Sequence, residues 1–229
     1  AARFFVRDSR VMDSMRFAIY IKARGGVIFN SQFDGLSAPS ILATNEPEWP
    51  EGPPATHLWV QGCTFSQNNY GYMSRHRAFM VVDPADISIY ARRLRDAAEP
   101  AGYQAHVSRG HYANNHMKLV GNVFHDWRGM GIAVRNSRNA LIRDNLFLPP
   151  VEDPVMRQTL AKDHALARDG RGHFAAIFLS SVDGVHLAGN HAYGLPAGDH
   201  AIVREADVTG VIESDNAALP LRGAGPTAA

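Results

Sequence analysis

The sequence is short of cysteine and of excess charge, and each shortage excludes a class of protein. Cys63 is its one cysteine, so no internal disulfide framework can form. The 23 Lys and Arg residues nearly balance the 22 Asp and Glu residues, which leaves a net charge of +1 at pH 7. Such a balance gives no basic surface for nucleic acid or for an anionic membrane. We therefore predict that neither is a partner.

Long apolar runs are also missing, because no stretch approaches the eighteen or so residues of a membrane-spanning helix. No signal peptide opens the chain, which begins directly in strand-like sequence. From this start we expect that an N-terminal cap has been lost, or that another chain or domain covers that end. The 229 residues and 45% hydrophobic content suffice for one large domain with a core.

A short cassette repeats along the chain: apolar residues, a small polar residue, one further residue, then an aromatic or apolar one. Aligned on the small polar residue, the repeats form a ladder of Ser9, Ser31, Cys63, Asn122, Asn145, Asn190 and Asn216. Two positions later come Val11, Phe33, Phe65, Phe124, Phe147, Ala192 and Ala218. Three positions before the ladder stand Val6, Ile28, Val60, Leu119, Ile142, Leu187 and Glu213. The shortest spacings, 22 and 23 residues, indicate a basic period in the low twenties with insertions.

Short strands at this period predict a parallel β-helix, in which each coil pairs its backbone with the coils on either side. The ladder residues would bond one another through their side chains, and the phenylalanines would stack in the core. In the longest gap, between residues 63 and 122, Asp83 is a candidate marker of a hidden coil. A leucine-rich repeat would need a recurring Leu lattice that the sequence lacks.

Two segments carry a family resemblance: residues 130–147, MGIAVRNSRNALIRDNLF, and residues 174–193, FAAIFLSSVDGVHLAGNHAY. Both resemble the "GI-x-V…N-x-I-x-x-N-x-F" coil of the right-handed parallel β-helix superfamily, typified by pectate lyases. The resemblance implies an all-β, single-stranded right-handed parallel β-helix with two short helical insertions, over residues 1–218. A C-terminal tail would follow at residues 219–229. The resemblance also implies a secreted or periplasmic location, although it identifies no activity.

One coil reads as three strands: residues 131–136, residues 140–144, and residues 146–147. In the first strand Ile132 and Val134 point inward, which turns Ala133 and Arg135 outward. The same alternation turns Tyr20, Lys22, Phe178 and Ser180 outward. We expect these positions to form one exposed face, which in the superfamily usually carries the substrate groove.

Three insertions are long enough to wall that face. Residues 34–55 are rich in proline and acidic residues and are predicted to form a loop. Residues 83–98 (insertion 83–103) predict a helix with Asp83 as N-cap and Pro84 in its first turn. Residues 153–169 (insertion 148–172) predict a second helix, with Asp153 before Pro154 and a stop at Gly170. This second helix should stand beside the first-strand face.

The densest group of polar residues follows, within about one coil. Its candidates for catalysis are His106, Arg109, His111, His125 and Asp126. Polysaccharide lyases and uronate epimerases of this fold remove the proton α to a carboxylate, which needs a base and nearby cations. Histidine suits the base, since it titrates near neutrality. Candidates for binding an acidic polysaccharide are Lys22, Tyr70, His76, Arg77, Arg128 and Arg135.

Other interpretations stay open at this point. A β-helix glycoside hydrolase would need two carboxylates, for which Asp126 with Asp13, Glu152 or Asp153 is the available set. A non-catalytic surface or fibre β-helix that binds glycans is the alternative outside the enzymes. No metal site is predicted: calcium, which the superfamily often uses, needs converging carboxylates, and the acidic residues are scattered. His57 and His116 occupy equivalent repeat positions, so we assign both a structural role.

Overall fold

The computed structural model describes residues 3–45, 52–71, 83–91, 112–163, 166–168 and 171–221. These residues form a mostly β structure with parallel strands and one helix, α1 (Pro154–Asp163). In chain order the strands are β1 (Phe4–Arg7), β2 (Arg10–Met12), β3 (Ile19–Ile21), β4 (Arg24–Phe29), β5 (Gln32–Asp34), β6 (Ile41–Ala43), β7 (Thr56–Gln61), β8 (Thr64–Ser66), β9 (Ala85–Ile89), β10 (Asn114–Asn115), β11 (Lys118–Val120), β12 (Val123–His125), β13 (Met130–Arg143), β14 (Leu146–Phe147), β15 (Ala167–Arg168), β16 (Arg171–Gly172), β17 (Ala175–Ala188), β18 (His191–Tyr193), β19 (His200–Arg204), β20 (Thr209–Ser214) and β21 (Ala217–Leu219).

Apart from the antiparallel pair β15–β16, the strands pair in three parallel rows, and one strand from each row makes a coil. The first row contains β3, β6, β9, β19 and the N-terminal halves of β13 and β17. The second contains β1, β4, β7, β10, β11, β20 and the C-terminal halves of β13 and β17. Because β13 and β17 run through both rows, these rows form one 12-stranded sheet, while the third row is a separate 7-stranded sheet.

The predicted inward column of the second row is confirmed by the strand register. Val6 pairs with Ile28, Ile28 with Val60, and Val60 with Leu119. The column continues through Ile142 and Leu187 to Glu213. From Ile28 to Leu187 these side chains are fully buried, so the aliphatic position repeats because each coil adds one layer to the same core.

The ladder is confirmed as a chain of buried amide hydrogen bonds. The backbone N–H and Nδ2 of Asn122 both donate to Oδ1 of Asn145, each at 3.0 Å. Asn145 donates in the same way to Asn190, and Asn190 to Asn216. Cys63 lies in this column, and its N–H donates to Oδ1 of Asn122. Each amide thereby satisfies the polar groups of the next coil at a turn that water cannot reach.

The phenylalanines stack as the cassette predicts. The ring centroids of Phe33 and Phe65 lie 5.2 Å apart, those of Phe65 and Phe124 4.8 Å, and those of Phe124 and Phe147 4.6 Å. The planes tilt by no more than 15°, since the repeat of the strands sets the repeat of the rings. The column ends where Ala192 pairs with Phe147.

Two turn positions have left-handed backbone in nearly every coil, which explains their residue types. The residue before each ladder position has a positive φ and is always Asp, Asn or Gly: Asp8, Asn30, Gly62, Gly121, Asp144, Gly189 and Asp215. The residue four after the ladder behaves similarly at Asp13, Gly35, Gln67, Asp126 and Gly194. Gly, Asn and Asp adopt this conformation at the least cost.

Two expectations about the longest gap are wrong. β7 pairs directly with β11, and β8 with β12, so no further coil lies between residues 63 and 122 and Asp83 marks none. The first part of the helix predicted over residues 83–98 is instead strand β9 at Ala85–Ile89, which pairs with β6 and β13. Residues 92–98 of that prediction lie outside the described residues. The alternation of buried Ile87 and Ile89 fits a strand, and pairing on both sides outweighs the Asp-Pro start signal.

The other two insertions differ less from expectation. The predicted loop at residues 34–55 contains β6, a first-row strand between β3 and β9. The second predicted helix is present as α1, but it ends at Asp163, and Ala167–Arg168 of the predicted range forms β15, which pairs antiparallel with β16. Asp153 caps α1 by accepting hydrogen bonds from the N–H groups of Val155 and Met156, each at 3.0 Å. Met156 and Leu160 are buried in the main core.

Arg157 fastens this helix to the following coil. Its guanidinium forms ion pairs with Asp199 and Glu152 and lies 4.1 Å from the centroid of Phe174. Hydrogen bonds to Asp199 and Glu152 raise the pKa of Arg157 above its ordinary value. These contacts therefore fix the position of α1 against the β structure.

Candidate functional site

Five of the candidate residues lie outside the described part of the chain. They are His106, Arg109, His111, His76 and Arg77. Their proposed roles stay predictions.

His125 and Asp126 lie together at the end of the third-row strand β12. Nδ1 of His125 is 3.2 Å from Oδ2 of Asp126, and 37% and 48% of the two side chains are exposed. Asp126 has a φ of +52° and occupies the same turn position as Asp13, with a φ of +51°. The left-handed backbone of this turn is enough to explain why position 126 is Asp, so Asp126 needs no catalytic role. The turn does not explain why position 125 is His.

Arg135 is not on an exposed surface, contrary to expectation. It has the predicted outward register, but only 5% of it is exposed. Its Nε and Nη2 donate to the carboxylate of Asp83 at 2.7 and 3.0 Å, and its Cζ lies 4.6 Å from the centroid of Phe178. The guanidinium therefore joins the residues before β9 to β13.

The rest of the first-row face is also covered near Arg135. Ala133, Phe178 and Ser180, predicted to be exposed, are buried. Ala133, Phe178 and Val203 follow one another in register along this face, and an apolar row of this kind is stable only when it is kept from water. The exposed groove predicted across these coils is therefore absent from the described residues.

At the N-terminal side of the same face, two predicted binding residues are more accessible. Lys22 is half-buried, with Nζ 4.4 Å from the centroid of the Tyr20 ring. Tyr70 is exposed and directly follows the buried Asn68 and Asn69, at the corner between the third and first rows. Tyr70 is therefore accessible to a ligand, and the side chain of Lys22 is accessible in part.

A polar group lies at this corner, which we call the corner site: Ser40, Asn69, Asp86, Ser88 and Arg128. Of these residues the sequence analysis identified Arg128 as a binding candidate and missed the other four. Asp86 and Ser88 alternate with the inward Ile87 and Ile89 in β9, so both side chains point outward. Ser40 neighbours Asp86, because Ile41 pairs with Ile87 in the adjoining strands. The alternation of Asp86 and Ser88 with Ile87 and Ile89 in the sequence ADISI could have predicted a strand with these polar side chains on its outer face. The prediction of a helix from Asp83 and Pro84 was preferred instead.

Several buried oxygen atoms at the corner have no hydrogen-bond partner among the described residues. They are Oδ2 of Asp86, Oγ of Ser88, Oγ of Ser40, Oδ1 of Asn69 and Oγ of the nearby Ser37. The other oxygen of the carboxyl, Oδ1 of Asp86, accepts a hydrogen bond from Nδ2 of Asn69 at 3.3 Å. Buried polar atoms are normally satisfied, so this concentration points to a site with a use for free acceptors.

Burial also changes the acidity of Asp86. Loss of hydration raises the pKa of this carboxyl to about 8, while the amide of Asn68 and the positive charge of Arg128 oppose the shift. Asp86 is therefore largely protonated at neutral pH and becomes a base just above it. A carboxyl tuned in this way can move a proton in either direction near physiological pH.

Arg128 supplies the cation of the corner site. Its Nη1 donates to the carbonyl oxygen of Asn68 at 3.4 Å, and its Nε lies 3.5 Å from Oδ2 of Asp153, the cap of α1. The ion pair is partly accessible, with 17% of the Arg128 side chain exposed. A planar guanidinium in this position can exchange one carboxylate partner for another.

Neither a metal set nor a membrane helix is present in the described ranges. Their His, Cys, Asp and Glu side chains form no group of three arranged to hold a metal ion. Within the same ranges no helix combines the length and the apolar character needed to cross a bilayer.

The comparisons with known proteins agree with the repeat, the register and the ladder. The family described as "Right handed beta helix region" matches residues 1–148. No curated protein and no solved structure matches the chain. Members of a β-helix family include enzymes and non-catalytic proteins, so membership fixes the scaffold and leaves the chemistry to the site. On the match across well over half of its residues, together with its parallel coils, the chain belongs to the right-handed β-helix family.

Proposed function

We propose that the chain is a carbohydrate-active enzyme, built as a single right-handed solenoid, that acts on an acidic polysaccharide. Its reaction would be that of a lyase or C5-epimerase, which removes the proton α to a uronate carboxylate. The observation that carries this proposal is the Asp86 carboxyl, buried beside Arg128 with its pKa raised to about 8 and one oxygen unpaired. A secreted or periplasmic location would suit such a substrate.

In this proposal Arg128 receives the uronate carboxylate in place of Asp153. Pairing with the guanidinium withdraws charge from the carboxylate and makes the adjacent C–H more acidic. The ionised Asp86 then takes the proton from C5 through Oδ2. In a lyase the electron pair of the C5–H bond forms a C4–C5 double bond, the C4–O bond breaks, and the leaving oxygen takes a proton from water. In an epimerase water gives a proton back to the opposite face of C5, and Asp86 later releases its own proton to solvent.

Asp86 is buried in the structure of the chain alone, so the proposal requires the corner site to open when substrate binds. Exchange of Asp153 for the substrate carboxylate on Arg128 provides a physical reason for opening, because it releases the link between the corner and the cap of α1. Tyr70, which is exposed beside Asn69, is placed to contact the sugar as the corner opens.

The proposal is tested by assaying the full chain on a panel of uronate polymers, with ultraviolet absorbance for the double bond of a lyase product and proton exchange at C5 for an epimerase. The kcat should rise with pH through about 8, because the base must lose its proton. Asp86→Asn should reduce kcat by a factor on the order of 1,000. Asp215→Asn, at an exposed turn that Asn also fits, is the matched control and should behave like the wild type.

Two results would remove the proposal. Turnover by Asp86→Asn at the wild-type rate would show that the base is elsewhere, and His106, His111 or His125 would then be the next candidates. Absence of both signals on every polymer, with intact folding, would favour the non-catalytic glycan-binding alternative.

A glycoside hydrolase built on Asp13 and Asp126 is disfavoured by the fold. Their turns are separated by three coil steps, through Gly35 and Gln67, which is about 14 Å at roughly 4.8 Å per step. That separation exceeds the roughly 5–10 Å that the two carboxylates of a glycosidase need.

A further inference from the structure

The outer face of the second row carries a continuous exposed row that the corner site does not use. Phe5, Val27, Trp59, Lys118, Leu141, His186 and Ile212 follow one another in strand register from β1 to β20. Phe5 is 60% exposed, Trp59 40% and Ile212 64%. Phe29 stands two residues along β4 and is 40% exposed. Exposed large apolar side chains concentrated on one face indicate a binding function.

The aromatic end of this row forms what we call the second-row platform: Phe5, Val27, Phe29, Trp59 and Lys118. Lys118 Nζ lies 5.4 Å from the centroid of the Trp59 ring. Beside it, the rings of His57 and His116 stack at 4.8 Å, two residues before Trp59 and Lys118 in their coils. Aromatic faces are thus presented next to a cationic edge.

The charges of this face have one sign. The row of Trp59 contains Lys118 and the next outward row contains Arg7 and Arg143, whereas neither row contains an Asp or Glu among the described residues. Arg7 and Arg143 are paired with the turn residues Asp8 and Asp144. Lys118 therefore remains as the cation nearest to the aromatic rings.

We propose that the second-row platform binds a chain of acidic sugars, as a site separate from the corner site. The faces of pyranose rings carry C–H groups with a small positive charge, which pack on the negative faces of aromatic rings. Lys118 would pair with a sugar carboxylate. Phe5 and Trp59 stand two strands apart, about 10 Å, which is roughly the length of two linked pyranoses.

The same charges oppose the other occupants of a flat apolar face. A second copy meeting this face about a two-fold axis through Lys118 would bring the two Lys118 side chains toward one another. An acidic glycan has both features that the platform complements, a ring face and a carboxylate. The inference shares the acidic polysaccharide of the proposed function, but it concerns another surface and requires no catalysis.

Binding is measured on the full chain in the Asp86→Asn background, so that turnover does not consume the ligand. The probes are oligogalacturonate and an alginate oligosaccharide, with cellohexaose as the neutral probe. Trp59→Ala should weaken binding of the acidic probes about tenfold or more, and Lys118→Glu should do the same while leaving cellohexaose binding unchanged. Trp59→Phe should retain most of the affinity. Val155→Ala, an exposed apolar side chain on α1, is the control and should have no effect.

Each outcome decides the inference separately from the proposed function. Equal affinity for the acidic probes with and without Trp59→Ala, both in the Asp86→Asn background, would overturn the inference. This holds even if the chain with Asp86 turns over a polymer. Tryptophan-dependent binding without turnover on any polymer would support the platform and remove the proposed function. Trp59-dependent self-association, or stronger binding to phosphatidylglycerol vesicles than to either acidic probe, would assign the face to a second copy or to a membrane and overturn the inference.

Discussion

The third-row side of the molecule and the outer face of the first row differ in how completely their buried polar groups are hydrogen-bonded. At the ladder each amide has its partner, from Cys63 to Asn216, and the phenylalanines beside it repeat at nearly constant distance. At the corner site, in contrast, a carboxyl is buried with one oxygen unpaired. The first region minimises the free energy of the folded chain. The second retains an unfavourable arrangement, which is common at sites of chemistry.

The largest effect expected in this comparison comes from interrupting the ring stack. Phe124→Ala should lower the free energy of unfolding by about 3–5 kcal/mol, because Phe65 and Phe147 would lose contact on both sides of a cavity. Denaturant unfolding followed by circular dichroism measures the change. Val123→Ala, on the outward side of the same strand, should cost less than about 1 kcal/mol. Similar losses for both variants would contradict the picture of a tightly coupled stack.

A smaller loss is expected from breaking the ion pair that covers the first-row face. Arg135→Ala should lower the free energy of unfolding by about 3 kcal/mol, since Asp83 would remain as a buried charge without its guanidinium partner. The double variant Asp83→Leu with Arg135→Met should recover most of this loss, because neither charge of the buried Asp83–Arg135 pair is then left without the other. A double variant no more stable than Arg135→Ala would show that the guanidinium acts mainly through its contact with Phe178.

Substitution at the corner site should raise the free energy of unfolding instead of lowering it. The folded-state pKa of Asp86 is about 8 and its ordinary value is 3.8, so between these values the folded chain keeps a proton that the unfolded chain has lost. The free energy of unfolding should therefore decrease as pH rises through this window and become constant above about 8. In Asp86→Asn this decrease should vanish, which makes the variant more stable than wild type at pH 9.

Urea titrations of wild type, Asp86→Asn and the control Asp215→Asn at several pH values test this. Asp215→Asn should keep the slope of the wild type. Parallel curves for wild type and Asp86→Asn would mean that the carboxyl is ionised throughout the window, as it would be if it held a bound cation.

The smallest effect is expected at the half-exposed pair of His125 and Asp126. His125→Ala should change the free energy of unfolding by less than about 0.5 kcal/mol, because the pair is accessible to water. With Asp86 as the base, turnover should fall by less than about threefold. A loss of turnover as large as that of Asp86→Asn would show that the reaction takes place at His125, on the third-row side of the molecule.

Repetition made the scaffold predictable from the sequence. The three repeat positions align in seven cassettes, with phenylalanine at four of the seven stack positions and an aliphatic residue at six of the seven column positions. The register therefore does not depend on any single residue. Asp153 and Pro154 also identified α1, because a local cap determines where that helix begins. These features depend on interactions within one coil or between neighbours.

The site could not be predicted in the same way, because its residues occur once. Asp86 meets Asn69 across 17 residues, and Arg135 meets Asp83 across 52. Such pairs result from how a long insertion returns to the stack, which periodicity does not encode. The segment from Asp83 has a good helix start, and only its pairing with strands on both sides makes Ala85–Ile89 a strand.

The ladder has a consequence for how this protein can change. Its bonds join residues separated by 23, 26, 45 and 59 positions with nearly the same geometry, all between 2.8 and 3.2 Å. The geometry of the scaffold therefore does not depend on the length of the chain inserted between one coil and the next. New surface features can be gained, lost or exchanged at that junction while the stack stays the same, which gives the corner freedom to acquire new specificity and makes it a suitable position for grafting a foreign loop.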